Sequence, residues 1–171
     1  MQPMNELDRF FSTWEYETQG TGKLLRALPK DRYDFRPDAE GRSLGELASH
    51  LAEGDGYITQ GIETGVFFGE VKPEHIDRPR TVEALATGFD LVHKDALARM
   101  KKLTVADLDR TVNFFNNPMP IRDIMWSYII LHGAHHRGQL SLMCRLAGGQ
   151  APGLYGPNRE EMAAMMQGNK F

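Results

Sequence analysis

Residues 120–145, PIRDIMWSYIILHGAHHRGQLSLMCR, carry three histidines inside one long helical pattern, and their phasing decides the fold. At about 100° per residue, with His132 set at zero, Ile121, Met125, Tyr128, Gln139, Met143 and Leu146 fall within roughly 40° of it. Asp123, Arg137 and Arg145 fall on the far side, where a solvated face is expected. His132 is therefore expected to point into a core. His136 lies about 40° to one side of the stripe and His135 about 60° to the other. A pair at 132 and 136 is better aimed inward than a pair at 132 and 135. The i, i+4 relation stacks two imidazoles one turn apart, close enough to share one ion.

A single histidine on an apolar face is usually a core residue holding one hydrogen bond. Two on one stripe change the question. Each ring has two nitrogens to satisfy, and a stripe of Ile, Met and Leu supplies few partners. A metal ion would satisfy them, but a third ligand has to come from elsewhere in the chain.

The rest of the sequence bounds the search. With 171 residues, 41% hydrophobic and 25% charged, one globular domain over 1–171 is expected, with chain enough for a real core. A net charge of −3 gives no electrostatic case for nucleic acid. The single Cys144 excludes an internal disulfide framework, fits a reducing compartment and lies off the main stripe, so packing is its expected role. No signal-peptide pattern and no run of 18 or more apolar residues is present, so a soluble, cytoplasmic protein with no membrane partner is expected.

In chain order, Leu7, Phe10, Phe11, Trp14, Thr18, Thr21, Leu25 and Leu28 step as one face of a first helix, which Pro29 ends. An irregular connector follows, in which Tyr33 and Phe35 are expected to tuck back onto the fold. Ser43 and Glu46 then form a Ser-x-x-Glu capping box that fixes the start of a second helix. His50 lies two turns in, and Leu47, Gly54, Tyr57 and Gly61 share its face. The two glycines allow either close packing or an open volume beside the ring. Glu46, Glu53 and Asp55 read as solvated, with a role as hydrogen-bond partner behind a ligand open to any of them.

The stretch 64–80, with Gly65, Gly69, Pro73 and Pro79, reads as a loop carrying an exposed His75. A third helix over 81–103 has Val82, Leu85, Phe89, Val92, Ala96, Met100 and Leu103 as its stripe and His93 at the edge. Residues 104–119 read as a loop or short extended piece, after which Pro120 opens the histidine helix at its first turn. Gly148 and Gly149 stop it, and a Pro/Gly loop leads into a short terminal helix.

Four long amphipathic helices without alternating strands predict an all-α helical bundle. Two of them carry inward histidines, which nominates His50, His132 and His136. Three neutral imidazoles with one open position are a ligand set for a catalytic transition metal. The chain contains no Glu-x-x-His for a ferritin-like di-iron centre, and Gly133 stands where the zincin motif needs Glu.

The run LGELASHLAEGDGYI, followed by HGAHHRGQL near the C-terminus, resembles the DinB/YfiT-like family over nearly the whole chain. One histidine on the second helix combined with a His-x-x-x-His-Arg-Gly-Gln segment on the fourth is the specific element, matched by His50, His132, His136, Arg137, Gly138 and Gln139. The resemblance implies an up-down-down-up four-helix bundle, frequent homodimers, and a divalent ion, nickel or zinc in many members, held by the three histidines. It also implies either thiol S-transfer with a low-molecular-weight thiol such as bacillithiol or mycothiol, or hydrolysis. A non-catalytic, stress-related metal-binding bundle stays open beside these. Catalytic and thiol-binding residues stay unassigned; Tyr57, Gln139 and Glu53 are candidates for contacts around the site. The adjacent Phe10 and Phe11 suggest more apolar surface than one stripe needs, hence a homodimer with a second copy, acting on a small-molecule substrate.

Overall fold

The computed structural model describes residues 4–67, 74–77 and 80–168. Gly69, Pro73 and Pro79 of the expected loop lie outside them. Helix α1 spans Glu6–Arg26, α2 Leu44–Thr64 and α3 Val82–Met100. The histidine helix, α4, covers 121–146 in three consecutive pieces: Ile121–Ile124, a π-helical stretch Met125–Leu131, and His132–Leu146. A terminal helix, α5, spans Arg159–Met166.

Caps written in the sequence set these starts. Ser43 and Glu46 close the expected capping box on α2, and Asn5 with Asp8 and Asn158 with Glu161 do the same for α1 and α5. Gly65 ends α2 in the left-handed conformation at φ 76°.

The fold is mostly helical but not purely so. Val105–Asp109 forms a 3-10 turn, and Thr111–Phe114 (β1) pairs antiparallel with Asn117–Pro120 (β2), Phe114 opposite Asn117. The two turn residues, Phe115 and Asn116, both have positive φ, 49° and 66°, the twist that matches a two-residue hairpin. An all-α expectation missed this hairpin because Asn-Asn-Pro reads equally well as a loop, and strands of four residues are too short for alternation to register.

Helix α2 packs against α3 and α4, and α1 against α3 and α4. Two apolar clusters result. One gathers Leu24, Leu44, Leu85, Phe89, Leu140 and Cys144; the other gathers Phe10, Trp14, Ile62, Phe67, Phe114 and Ile124. Tyr33 is buried in the first cluster and Phe35 packs against it, as the connector's aromatics suggested. Phe10 is fully buried and Phe11 packs on the second cluster, so these two rings are core rather than surplus surface. Cys144 is likewise fully buried, and burial raises its thiol pKa, which suits packing and not nucleophilic chemistry.

The histidine helix departs from its expected phase. The His132 amide donates to the Ser127 carbonyl, five residues back, so the turn entering His132 is a wide π turn. This slips the phase, and the stripe of the first half cannot be carried through unchanged. Beyond His132 the buried residues are His136, Arg137, Leu140, Met143 and Cys144, centred about 80° from His132 at 100° per residue. His132 sits at one margin of that face and Arg137 at the other. Leu146, expected inward, is therefore exposed, with Leu131 and Leu142. Arg137, expected in solvent, is only 3% exposed. Among the described residues no helix is long and apolar enough to cross a membrane.

Candidate metal centre

His50 comes from the middle of α2, and His132 and His136 come from successive turns of α4, which packs on α2. Their imidazole edges converge. His136 Nε2 lies 3.1 Å from His50 Nε2 and 2.9 Å from His132 Nε2. For ligands on one ion at about 2.1 Å, neighbouring nitrogens stand about 3.0–3.4 Å apart, so this triangle has the size of a coordination set. His135 is exposed, its ring lying against His136 at 5.0 Å between centroids, and it is not one of the three residues whose ring nitrogens converge.

Hydrogen bonding fixes which atom His136 offers. Its Nδ1–H donates to Gln139 Oε1 at 2.7 Å, leaving the lone pair on Nε2, the atom that faces the other two rings. Three acceptor-capable nitrogens meeting at one point are poorly satisfied by one another, since a single shared proton serves one contact only. A cation resolves the arrangement, and the donor set therefore fits a divalent transition ion.

Electrostatics push the same way. Burial lowers the pKa of His132, and the charges of His136, His135 and Arg42 lower it further. His136 is also lowered, chiefly by burial and against the opposing hydrogen bond from Gln139. Both rings are accordingly neutral at pH 7, the form that ligates.

Two cavities adjoin the triad. The smaller, about 30 Å³, holds about one water and is lined by His50, His132 and His136 together with Glu17, Gly54, Asp55 and Arg137. Leu51 and Phe89 of one apolar cluster and Trp14 and Ile129 of the other also face it, so it lies where the two cores meet. The glycines now separate. A Cβ on Gly61 would run into the Phe67 ring, whereas one on Gly54 would meet nothing within 4 Å. Close packing explains Gly61, and open space explains Gly54. The larger cavity, about 330 Å³, is lined by Tyr33, Arg42, Glu46, Ser49 and His50.

Asp55, expected in solvent, is instead partly buried and accepts from Trp14 Nε1 at 3.0 Å and from His93 Nδ1 at 2.9 Å. His93, read as a boundary residue, is clasped between Asp55, Thr18 and the Trp14 and Phe89 rings. One signal could have found this pair. A buried tryptophan needs an acceptor for its indole N–H, and Trp14 was already placed on the inward stripe. Arg137 is held by Glu17, Thr21 at 3.0 Å and Tyr155 at 2.6 Å. Tyr57 packs with the second apolar cluster and lines neither cavity. His75 is exposed and contacts Asp95, away from the triad.

The chain belongs to the DinB family, whose profile matches residues 1–170. The chain is 32% identical over 158 residues to the uncharacterized protein YrdA of Bacillus subtilis, covering 92% of each. It is also similar to the crystal structure of a DinB-like protein from Bacillus cereus, with TM-score 0.73, 30% identity, and 85% of this chain and 95% of that one covered. The DinB-like protein YjoA from Bacillus subtilis shares the fold at TM-score 0.68 and 21% identity, over 88% of this chain and 99% of that one.

Proposed function

We propose that the chain is a divalent-metal-dependent enzyme of the thiol S-transferase type, built as an up-down-down-up four-helix bundle with His50, His132 and His136 as ligands. The convergence of three Nε2 atoms, with Gln139 fixing the tautomer of His136, carries this reading. Imidazole donors suit zinc or nickel. When bound, such an ion supplies Lewis acidity that holds a thiol substrate as its thiolate at neutral pH.

The chain's own groups favour thiol transfer over hydrolysis. Hydrolysis wants a carboxylate or imidazole ready to take a proton from water. Among the described residues, the two carboxylates lining the smaller cavity are each engaged by two donor residues, Glu17 by Arg137 and Tyr155, Asp55 by Trp14 and His93. A thiol that would bind as its thiolate, releasing its proton to bulk solvent, needs no such base. The chain's own Cys144 is fully buried in the core, so the thiol has to be a diffusible one.

The experiment is elemental mass spectrometry on untagged protein beside His132→Ala/His136→Ala, followed by a screen of low-molecular-weight thiols against a chromogenic electrophile. About one zinc or nickel per chain, lost in the variant, with thiol conjugation that follows metal content, is expected. A folded wild type that takes up neither metal overturns the reading.

A further inference from the structure

The larger cavity adjoining His50 has a polarity that the metal ligands do not explain. Its lining is Tyr33, Arg42, Glu46, Ser49 and His50. Three arginines stand around this part of the molecule. Arg36 pairs with Glu46 at 2.8 Å, and Arg80 pairs with Asp34 while lying over the Tyr33 ring. Arg42 makes no ion pair or hydrogen bond among the described residues.

Among the described residues, the remaining wall groups add donors and no uncompensated negative charge. Arg36, and after it the Ser43 amide, lower the Glu46 carboxyl pKa, so its charge is already answered. Tyr33 Oη and Ser49 Oγ, both on buried residues, lie 3.4 Å apart and share one hydrogen bond. Two hydroxyls have two protons between them, so one O–H is left to donate elsewhere. An unpaired guanidinium and a spare hydroxyl donor, next to a ligand-set histidine, make a site complementary to an anion.

The geometry points to Arg42 as the anchor for a carboxylate on a small substrate, which lies in the cavity lined by Tyr33, Ser49 and His50 with its reacting end toward the triad. Guanidinium forks match planar carboxylates in two parallel hydrogen bonds. A volume of about 330 Å³ lies at the lower end of small-molecule sites, which limits the occupant to a compact molecule. This inference rests on the thiol-transfer reading only for the statement of which end faces the histidines.

The test uses the full chain loaded with Co²⁺, whose visible absorption reports a thiolate entering its coordination sphere. Two probes of equal length are titrated, 3-mercaptopropionate and its uncharged amide, into wild type, Arg42→Gln and Arg42→Lys. Arg42 is exposed, so folding and cobalt content are expected to match in all three. The carboxylate should bind roughly tenfold tighter than the amide in wild type, the size of one charge-assisted hydrogen bond. That preference should vanish in Arg42→Gln and partly return in Arg42→Lys. Equal affinities in wild type, or an undiminished preference in Arg42→Gln, overturn the assignment. If neither thiol changes the cobalt spectrum, the thiol reading falls and Arg42 is judged separately. Propionate against propionamide, followed by the backbone amide shifts of Ser49 and His50, then decides it: selectivity lost in Arg42→Gln upholds the anchor, and its absence in wild type overturns it.

Discussion

Gln139 Oε1 accepts the Nδ1 proton of His136 at 2.7 Å from one turn further along the same helix, and so aims the opposite ring nitrogen at His50 and His132. The bond uses an amide where many ligating histidines use a carboxylate or a backbone carbonyl. Because Gln139 is itself exposed, removing its side chain leaves the packing of α4 intact. Gln139→Ala is expected to weaken metal affinity by about 10–100-fold. Competition against a chelator of known affinity measures this, and the variant's thermal unfolding without metal should match wild type.

The two glycines on the His50 face should respond with opposite sign. At Gly54 an added methyl meets nothing within 4 Å, so Gly54→Ala is expected to stabilise the chain by about 0.5–1 kcal/mol through the lower entropy of the unfolded state and better helix propensity. At Gly61 the same methyl collides with the Phe67 ring, and Gly61→Ala is expected to cost about 1–3 kcal/mol. Urea unfolding of the two single variants checks both signs at once.

Arg137 makes a buried ion pair with Glu17 that ties α4 to α1, and the Tyr155 hydroxyl joins both ends of it. Removing only the cation strands a carboxylate that is itself nearly buried. Arg137→Met is therefore expected to destabilise the chain by about 3–5 kcal/mol, and adding Glu17→Gln to recover much of that loss. Tyr155→Phe, which removes one hydroxyl from the network, should cost about 1 kcal/mol. Chemical denaturation of the three variants tests the ordering.

These residues also mark where the sequence could be read and where it could not. The caps at Ser43 and Glu46, the inward aim of His50 and the choice of His136 over His135 all follow from local rules, because capping and i, i+4 spacing depend on a few neighbouring residues. Arg137 could not be placed that way. Its burial depends on α1 and the Tyr155 loop arriving from far along the chain, and on a π turn that breaks the 3.6-residue period just ahead of His132. Asp55 is hard to place for the same reason: an aspartate beside two glycines reads first as solvated, and only the Trp14 and His93 donors arriving from other helices decide for the partner role. The hairpin over 111–120 was too short for periodicity to separate it from a loop.

The docking of α5 should be acid-sensitive in a defined window. Glu160 is bound by Arg145 at 2.7 Å and by Arg159 at 2.9 Å, and the Arg145 bond, ahead of the others, pulls its pKa from 4.5 down to about 2. A carboxylate with a depressed folded-state pKa stabilises the folded form fully above its unfolded value and loses that contribution as protons bind. The contact is thus complete above about pH 4.5 and fades as pH falls through about 2, with the loss confined to the segment that Arg145 and Glu160 join. Glu160 is only partly buried, at the surface, so solvent screens the pair and global unfolding should barely register the change. Side-chain carboxyl NMR should place its midpoint near 2, and amide exchange over 159–166 should quicken below pH 4 while α1 and α2 stay protected. Glu160→Gln should give fast exchange in that segment at every pH, and a midpoint near 4.5 in wild type would show that the Arg145 contact does not persist in solution.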